Sequence, residues 1–375
     1  MQRSKLHFFW REREAVKQFR TGVSLHSHTL HSMESMAFLP RYAAGAPLLN
    51  WAIRQQERRY HARSGRGLDF SRAFWRPPLG PREAYDLEKR QITESLDLDA
   101  LVSLSDHDDI QAGSLLAAVE PEIPISVEWT VPYGPSFFHI GVHNLPAKLA
   151  AACMAELAEF TANPQPGRIA GLLSELDRFD ETLIVLNHPM WDEARIGSAE
   201  HALLATQFLA VYGANIHALE LNGLRPWKEN RQVIDLARAS GHVLVSGGDR
   251  HGLEPNANVN LTNGGTFAEF VAEIREDRFS DVLFLPAYRE PIRLRMIETM
   301  VDIVRDYPEF PLGRRSWNER VFYRMDDGVA RPLAALWQAD PWPVHWFLAG
   351  LRAAKSSQVR TALRFALADA QEAGL

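Results

Sequence analysis

The sequence predicts an α/β fold in which buried parallel strands are joined by helical crossovers. Strand-like apolar runs alternate with helix-like segments about seven times along the chain, which is the pattern of βαβ units. Runs such as residues 182–186, in which four aliphatic residues follow Thr182, are expected for strands that are covered on both faces. Polar clusters follow these runs directly, at the carboxyl ends of the predicted strands, where α/β barrels carry their functional sites.

Composition limits the class of protein. The chain has 375 residues, of which 46% are hydrophobic and 23% charged, as in soluble globular proteins of one large domain with additions, or of two domains. The net charge of -6 argues against a general nucleic-acid or membrane-surface binder. The single cysteine, Cys153, rules out an internal disulfide framework and is predicted to be a buried, unreactive thiol. No run approaches the ~20 apolar residues of a membrane span, and the charged N-terminal segment is unlike a secretory signal, so a cytoplasmic location is predicted.

The first predicted strand, residues 21–25, leads directly into a His-x-His pair. Side chains two apart on a strand point to the same face, so His26 and His28 present two imidazoles side by side. Imidazole is a common protein ligand for zinc, iron and manganese ions. Glu34 follows shortly and is a candidate third ligand, although a solvated loop acid is an equally good interpretation of it.

Residues 37–90 form an insertion that is predicted to be mostly helical and is rich in arginine. It carries 11 basic residues against 5 acidic ones, a surplus of +6 in a chain of net charge -6, which leaves -12 for the remainder. A lid or collar of this charge would hold an anionic substrate, because guanidinium groups pair bidentately with phosphate. Arg58 and Arg59 are the candidate substrate-binding residues. The alternative is a solvated helix face with interspersed charges.

A second polar cluster follows the apolar strand predicted at residues 100–104. It contains one histidine and three carboxylates between Asp106 and Asp109, which is costly after a buried strand unless a positive charge lies nearby. A metal ion would supply that charge. Asp109 is predicted to cap the helix that follows, whereas Asp106 and His107 are assigned functional roles.

The middle of the chain adds two predicted strands with candidate ligands. The strand at residues 123–127 ends in Glu128, and the next strand carries His139 and His143. These two histidines lie four apart and share a face, unless Gly141 forms a bulge, in which case only one of them points at the site.

Two further strand ends complete the pattern. The run at residues 182–186 ends in Asn-His-Pro, where the proline restricts the backbone of His188 in a way that suits a ligand. The last main strand, predicted at residues 243–246, is followed by Gly-Gly-Asp-Arg-His. The glycines allow a tight turn, and Asp249 and His251 again lie two apart on one face. Arg250 between them is predicted to lie at the surface.

The candidate metal ligands combine six histidines with three carboxylates, a mixture that suits zinc, manganese or iron better than calcium or magnesium alone. They are His26, His28, Glu34, His107, Glu128, His139, His188, Asp249 and His251. This number is too large for one ion but suffices for two or three ions that share a bridging carboxylate, for which Glu128 is the natural choice. Asp106 is the candidate for orienting ligands or moving a proton.

These motifs, in this order, resemble the PHP (polymerase and histidinol phosphatase) superfamily. The matching elements are His-x-His-Thr, Ser-Asp-His-Asp after an apolar strand, a lone Glu, Asn-His-Pro and Gly-Asp-x-His, which span residues 22–252 with 37–90 as an insertion. The resemblance implies a distorted (β/α)7 barrel with a trinuclear metal centre. It also implies phosphoester hydrolysis, the commonest activity of this family.

The resemblance further implies how the ligands are divided among three ions. The first ion would be held by His26, His28, Glu128 and Asp249. The second would be held by Glu128, His188 and a histidine of the strand at residues 137–143, where the run His-Ile-Gly resembles one small-phosphatase branch and favours His139. The third would be held by His107, His251 and an acid or histidine after the first motif. Met33 stands at the usual Asp position, and Glu34 is its substitute.

The domain prediction is a PHP-type barrel over residues 1–286, including the insertion, and a helical C-terminal extension over residues 287–375. The predicted function is metal-dependent hydrolysis of a small anionic phosphorylated substrate, a metabolite or a nucleotide, with two or three Mn, Zn or Fe ions. Alternatives are a nuclease or phosphodiesterase, a metal-dependent amide hydrolase, and a non-catalytic metal-binding module. No membrane partner is predicted, nucleic acid enters only as a substrate, and the oligomeric state is left open.

Overall fold

The computed structural model describes residues 4–40, 47–65, 67, 69–165, 167–336, 342–354 and 356–367. The strands are β1 (Ser4–Phe8), β2 (Thr21–Ser24), β3 (Glu34–Ser35), β4 (Ala73–Trp75), β5 (Asp99–Val102), β6 (Val127–Tyr133), β7 (Ser136–His143), β8 (Leu183–Asn187), β9 (Ala218–Asn222), β10 (Val243–Gly247), β11 (Asn258–Thr262), β12 (Ser280–Phe284), β13 (Val321–Arg324) and β14 (Ala330–Pro332). The α-helices are α1 (Pro47–Ser64), α2 (Pro81–Leu96), α3 (Gln111–Ala117), α4 (Ala150–Ala162), α5 (Arg168–Asp177), α6 (Ser198–Tyr212), α7 (Trp227–Ser240), α8 (Phe267–Ala272), α9 (Ile292–Val304), α10 (Leu333–Leu336), α11 (Trp342–Ala354) and α12 (Ser357–Ala366). Within these described ranges, no helix has both the length and the apolar character that crossing a membrane requires.

Ten of the strands form two five-stranded sheets. The strand order is β1-β12-β11-β2-β5 in the first sheet and β10-β9-β8-β7-β6 in the second. The pairs β1/β12, β2/β5, β8/β9 and β9/β10 are parallel. By contrast, β11 runs antiparallel to both of its neighbours, and so does β7. The prediction of an α/β fold is therefore confirmed, with mixed rather than purely parallel sheets.

The two sheets stay open in the described part of the chain and do not close into the predicted barrel. They meet at two isolated parallel bridges, Ser27 with Arg250 and His107 with Glu128. The ladders of β2 and β10 end before the first bridge because His26 (φ 63°) and Asp249 (φ 56°) leave the extended conformation that a ladder requires. This interruption lies where the polar side chains converge.

Apolar residues from both sheets pack into a shared core. Val23 of β2 belongs to the same buried cluster as Val185 of β8, Ala218 of β9 and Val245 of β10. Fully burying a valine or leucine side chain contributes roughly 1.5–3 kcal/mol. This core holds four strands side by side, and the polar residues at their carboxyl ends meet at one edge of it.

Helix α2 packs against β2 in a neighbouring buried cluster, although most of the helix lies within the predicted insertion. It begins at Pro81, whose fixed φ suits the first helical position, and is followed by Asp97 in a left-handed conformation. Ile92 of α2 is fully buried against β2, where a Cβ at Gly22 would lie 2.8 Å from the Cγ2 of Ile92. The close approach of helix and strand therefore depends on a glycine at position 22.

A separate four-stranded antiparallel sheet, here named the accessory sheet, joins the insertion to the C-terminal extension. Its strand order is β14-β13-β4-β3. β3 and β4 flank helix α1, and β13 and β14 lie in the extension. None of these strands was predicted, because β3 has 2 residues and β13 only 4, and such short runs carry too little periodicity to be recognised.

Other predictions from the sequence need correction. Strands β1 and β11 were not recognised from the sequence, and the segment between β1 and β2 contains a 3-10 helix at Arg13–Gln18. The strand predicted at residues 123–127 starts instead at Val127, so Glu128 lies at the start of β6 rather than after its end. The extension, predicted to be helical, contains strands β13 and β14 as well as helices α9, α10, α11 and α12. Residues 337–341, 355 and 368–375 of the extension lie outside the described residues.

Candidate metal centre

The nine candidate ligands lie together where the two sheets meet. Their donor atoms form four overlapping groups, and within each group the atoms lie within 4.8 Å of one another. The groups are His28, Glu34, His107 and His251; His26, Glu128 and His188; His26, His28 and Asp249; and His107, Glu128 and His139. Each group could hold a metal ion. Several residues belong to two groups, as is needed when neighbouring ions of a multinuclear centre share ligands.

Glu128 lies between five imidazoles. Its Oε2 lies 3.0 Å from His26 Nε2, 3.4 Å from His28 Nε2 and 3.2 Å from His107 Nδ1. Its Oε1 lies 3.1 Å from His188 Nε2 and 3.4 Å from His139 Nδ1, and it accepts a hydrogen bond from Asn187 Nδ2 at 3.0 Å. Each carboxylate oxygen thus faces a different set of histidines, which is the geometry of a bridging carboxylate.

Three of these converging atoms are buried without a hydrogen-bond partner in the part of the chain that the structure describes. They are His26 Nε2, His28 Nε2 and Glu128 Oε2, on side chains that are 0% exposed. Leaving a buried polar atom unpaired costs roughly 1–3 kcal/mol. Burial, reinforced by the neighbouring His251, lowers the pKa of His28 to about 4, so its imidazole is neutral at pH 7. Neutral imidazole is the form that binds metals.

The backbone is strained at three of the candidate ligands. His26 (φ 63°), His188 (φ 27°) and Asp249 (φ 56°) have positive φ angles, which are uncommon for residues other than glycine. Strain of this kind costs about 1–3 kcal/mol per residue and clusters at functional sites. Before Asp249, a Cβ at Gly248 would lie 1.7 Å from Asn256 Cγ, so only glycine allows the turn to pass this close.

A hydrogen-bonded pair of polar side chains behind the histidines orients His26. Its Nδ1–H donates to Glu220 Oε2 at 2.6 Å, and Asn222 Nδ2 donates to the other carboxylate oxygen at 2.6 Å. This fixes the tautomer and points Nε2 at Glu128. Neither Glu220 nor Asn222 was assigned a role from the sequence. A carboxylate and an amide at the end of a predicted strand were the available signal.

Two clusters can be distinguished by their burial. The inner cluster consists of His26, His28, Glu128 and Asp249, whose side chains are 0–4% exposed. The outer cluster consists of Glu34, His107 and His251, whose side chains are 10%, 17% and 13% exposed. Glu34 Oε2 lies 3.3 Å from Nε2 of both histidines of the outer cluster.

Ser32 and the backbone hold the outer cluster. The Ser32 hydroxyl donates to Glu34 Oε1 at 2.6 Å and accepts from the backbone N–H of His107 at 3.1 Å. His251 Nδ1–H donates to the carbonyl oxygen of Asp249 at 2.8 Å, which leaves its Nε2 directed at Glu34. Ser32 was not identified from the sequence.

The structure separates His139 from His143. Strand pairing continues through Glu128 and Gly141 without a bulge, and both histidines share a face of β7. His139 points toward Glu128, whereas His143 Nδ1 lies 2.8 Å from Ser103 Oγ, and burial lowers the pKa of His143 to about 3. His143 thus packs beneath the centre, and His139 is part of it.

Asp106 lies beside the clusters and binds the loop after the first motif. Its Oδ1 accepts from the Thr29 backbone N–H at 2.5 Å, and its Oδ2 accepts from the Thr29 hydroxyl at 2.7 Å. Burial raises the pKa of Asp106 to about 7. Because both oxygens are engaged by the residue that follows His28, this geometry matches ligand orientation better than proton transfer.

The surface position predicted for Arg250 was wrong. Arg250 is 4% exposed, and its Nε lies 3.0 Å from Glu88 Oε1 of α2. Its guanidinium also donates to the carbonyl oxygens of His28 and Gly252 at 2.7 Å and 2.8 Å. The side chain turns away from the clusters, as predicted, but into the protein, where it supports the His-x-His loop.

The candidate substrate-binding arginines lie away from these contacts. Arg58 and Arg59 are exposed on α1, and within the described residues no hydrogen bond or ion pair joins either of them to the clusters. A different cation, Arg225, lies at the centre and was missed. Its Nη2 is 3.3 Å from Asp249 Oδ2, and its guanidinium covers the Trp191 ring at 3.4 Å. Trp191 in turn lies 5.0 Å from the His188 ring.

No protein-family model and no curated protein matches the chain. Among solved structures, PsfC from Pseudomonas syringae PB-5123 is 15% identical with a TM-score of 0.37, covering 58% of this chain and 88% of that one. An amidohydrolase from Chromobacterium violaceum with bound sulfate and no metal is 17% identical with a TM-score of 0.32, covering 47% and 83%. A presumed metal-dependent phosphoesterase from Bifidobacterium adolescentis is 16% identical with a TM-score of 0.32, covering 53% and 91%. Similarity this distant assigns neither a family nor a function to the chain.

Proposed function

We propose that the inner and outer clusters, with His139 and His188, bind two or three divalent ions and that the protein hydrolyses phosphoesters. The observation that carries this proposal is the convergence of His26 Nε2, His28 Nε2 and Glu128 Oε2, which are buried without hydrogen-bond partners among the described residues. Divalent cations would satisfy all three atoms at once. The mixture of imidazoles and carboxylates favours zinc, manganese or iron.

The ligands divide among the ions as the PHP resemblance implies. His26, His28, Glu128 and Asp249 hold the first ion; Glu128, His139 and His188 hold the second; Glu34, His107 and His251 hold the third. In this proposal the two open sheets are a PHP-type distorted barrel whose ladders are interrupted at the metal centre. The isolated bridges at Ser27 and His107 mark the interruption.

The residues of the chain prepare the site for a phosphoryl group. Bound divalent ions supply a nucleophile from water at neutral pH and stabilise negative charge on phosphoryl oxygens. Glu220 keeps His26 in the tautomer that frees its Nε2, and Asp106 holds the loop at Thr29. Arg225, which is 8% exposed, places a positive charge beside Asp249. In such a water-poor site, this charge stabilises a transition state more strongly than it would in solution.

A small phosphorylated molecule is the preferred substrate class. The inner cluster is almost fully buried, so it accepts a compact reacting group more readily than a long polymer. The net charge of -6 also disfavours a polynucleotide, whose binding depends on neutralising phosphates.

Phosphate release from a panel of phosphomonoesters and nucleotides tests this proposal. The protein is reconstituted with Mn²⁺, Zn²⁺ or Fe²⁺, and Asp249→Ala serves as the inactive control. We expect release that depends on the metal and is absent in the control. If the protein binds metal but releases no phosphate from any compound, the preferred substrate class of small phosphomonoesters is wrong, and diesters and amides are tested next.

A further inference from the structure

The accessory sheet delivers Glu34 to the outer cluster. Glu34 of β3 pairs directly with Trp75 of β4, and Trp75 pairs directly with Val321 of β13. Directly opposite residues in an antiparallel sheet point to the same face. Glu34, Trp75 and Val321 therefore form one row across three strands.

This row faces the candidate metal centre. Glu34 Oε2 lies 3.3 Å from Nε2 of both His107 and His251, and the Trp75 ring lies 5.6 Å from the His251 ring. Two of the three side chains in the row thus contact the outer cluster. The accessory sheet is in this way one wall of the centre.

The opposite face of the accessory sheet holds its strands together. Phe74 of β4 stacks on Phe322 of β13 with ring centroids 5.2 Å apart and an interplanar angle of 9°. The Arg76 guanidinium lies 5.2 Å above the Phe322 ring. At the edge of the sheet, Arg72 donates to the carbonyl oxygen of Arg324 at 2.7 Å and pairs with Asp326 at 2.8 Å.

β3 and β4 need a third strand to be stable. β3 has 2 residues and β4 has 3, and an isolated two-stranded ribbon is marginally stable even when its strands are longer. The third strand, β13, comes from the C-terminal extension, with 252 positions between the bonded residues Arg72 and Arg324. The position of Glu34 therefore depends on a segment far away in the sequence.

We propose that the C-terminal extension is a structural part of the metal centre, because β13 positions Glu34 for the third ion. Phe322 and Val321 are positioning residues in this arrangement, and Glu34 is the ligand. The inference rests on the proposed function, since it assumes that the outer cluster binds an ion. The inner cluster is held by other contacts, those of Glu220, Asn222 and Arg250, and its ions are retained when β13 is weakened.

Metal stoichiometry tests the proposal without relying on activity. The full-length protein and its variants are dialysed against Mn²⁺ over a range of concentrations, and bound metal is measured by elemental analysis. Phe322→Ala removes the stack on Phe74, Phe322→Tyr keeps it, and Arg324→Ala removes an exposed side chain from the same strand. Glu34→Ala removes the ligand itself.

We expect the wild-type protein, Phe322→Tyr and Arg324→Ala to bind three ions, and Glu34→Ala to bind two. Phe322→Ala should keep two ions and bind the third about 10-fold more weakly, within the range seen when support for a metal ligand is lost. Circular dichroism and thermal unfolding show whether each variant is folded. If Phe322→Ala does not fold, Val321→Ala is measured instead, because it shortens the side chain that pairs with Trp75. We expect Val321→Ala to weaken binding of the third ion as well, but by a smaller factor.

Three results would overturn the proposal. A folded Phe322→Ala or Val321→Ala variant that binds three ions with wild-type affinity shows that β13 does not position Glu34. Wild-type protein that binds only two ions contradicts the third site but leaves the proposed phosphoesterase intact. Wild-type protein that binds no ion overturns the proposed function as well.

Discussion

The inner and outer clusters offer similar ligands but are built in different ways. The inner cluster is formed where β2, β6 and β10 begin or end, within the packed sheets, and is at most 4% exposed. The outer cluster is 10–17% exposed and takes Glu34 from the two-residue strand of the accessory sheet. The comparison shows that neighbouring candidate ligands can be held by very different parts of the fold. Some are held by long core strands, and Glu34 is held by a short strand of the accessory sheet.

The difference has consequences for stability. Groups at the ends of core strands open only when much of the protein unfolds, whereas short surface strands open locally at lower free energy. We therefore expect the inner cluster to be the more stable part of the proposed centre. We expect mutation, or low metal concentration, to affect the outer cluster first.

The largest effect is expected from a change in the inner cluster. Asp249→Ala removes a candidate ligand that lies with His26 and His28, and it also removes the nearer of the two carboxylates beside Arg225. We expect kcat/KM for the preferred phosphoester to fall by more than about 100-fold, because losing only the support of a ligand already costs 10- to 100-fold. Metal analysis should show fewer bound ions than in Asp180→Ala, a matched change at an exposed acid. Unchanged kcat/KM in Asp249→Ala rules out the metal mechanism.

Removing the metal should destabilise the protein measurably. Without ions, His26 Nε2, His28 Nε2 and Glu128 Oε2 remain buried and unpaired. One ion at 100 times its Kd stabilises the folded state by about 2.7 kcal/mol. Thermal unfolding with a chelator should therefore show a lower Tm that returns when Mn²⁺ is added back. Glu34→Ala should keep most of the metal-dependent increase in Tm, whereas His26→Ala should lose it. Equal increases in the two variants would contradict the distinction between the inner and outer clusters.

An intermediate effect is expected behind the inner cluster. Glu220→Gln replaces the carboxylate that accepts from His26 Nδ1–H and from Asn222 with an amide that has only one acceptor oxygen. We expect the affinity of the inner cluster for metal to fall about 10-fold. Titration of the apoprotein with Mn²⁺ measures this affinity. Weakening of the outer site instead would contradict the orienting role given to Glu220.

A smaller effect is expected at Asp106. Asp106→Asn keeps one acceptor for the Thr29 backbone N–H and a nearly unchanged shape, so a residue that only orients the loop should change kcat by less than about tenfold. General acid–base catalysis contributes roughly 10²- to 10⁴-fold. A loss of kcat in that range, with metal content unchanged, would support proton transfer by Asp106 instead.

The smallest effect is expected at the insertion. Charge reversal by Arg58→Glu and Arg59→Glu tests the collar hypothesis directly. Both side chains are exposed on α1, and among the described residues no hydrogen bond or ion pair joins them to the clusters. Because exposed charges are also screened by salt, we expect the KM for an anionic substrate to change by less than about twofold. A much larger increase in KM would support the hypothesis that Arg58 and Arg59 bind the substrate.

Much of the candidate centre can be predicted from local sequence patterns. Side chains two apart on a strand share a face whatever the rest of the chain does, so His26 and His28 could be paired without a structure. The same reasoning placed Asp249 beside His251, whereas the preference for His139 over His143 came from the resemblance to one small-phosphatase branch. The α/β class follows from alternating apolar runs for the same local reason.

Tertiary structure alone decided the contacts that cross long stretches of sequence. The antiparallel course of β7 and β11, the burial of Arg250 against Glu88, the bond from His26 to Glu220 and the pairing of β4 with β13 all join segments whose local patterns do not refer to each other. Periodicity reports which face of an element is buried but not which element covers that face. The sequence alone therefore determined the candidate ligands and most of the core strands beside them. The folded chain determined how those residues are oriented, and that the C-terminal extension joins the sheet that carries Glu34.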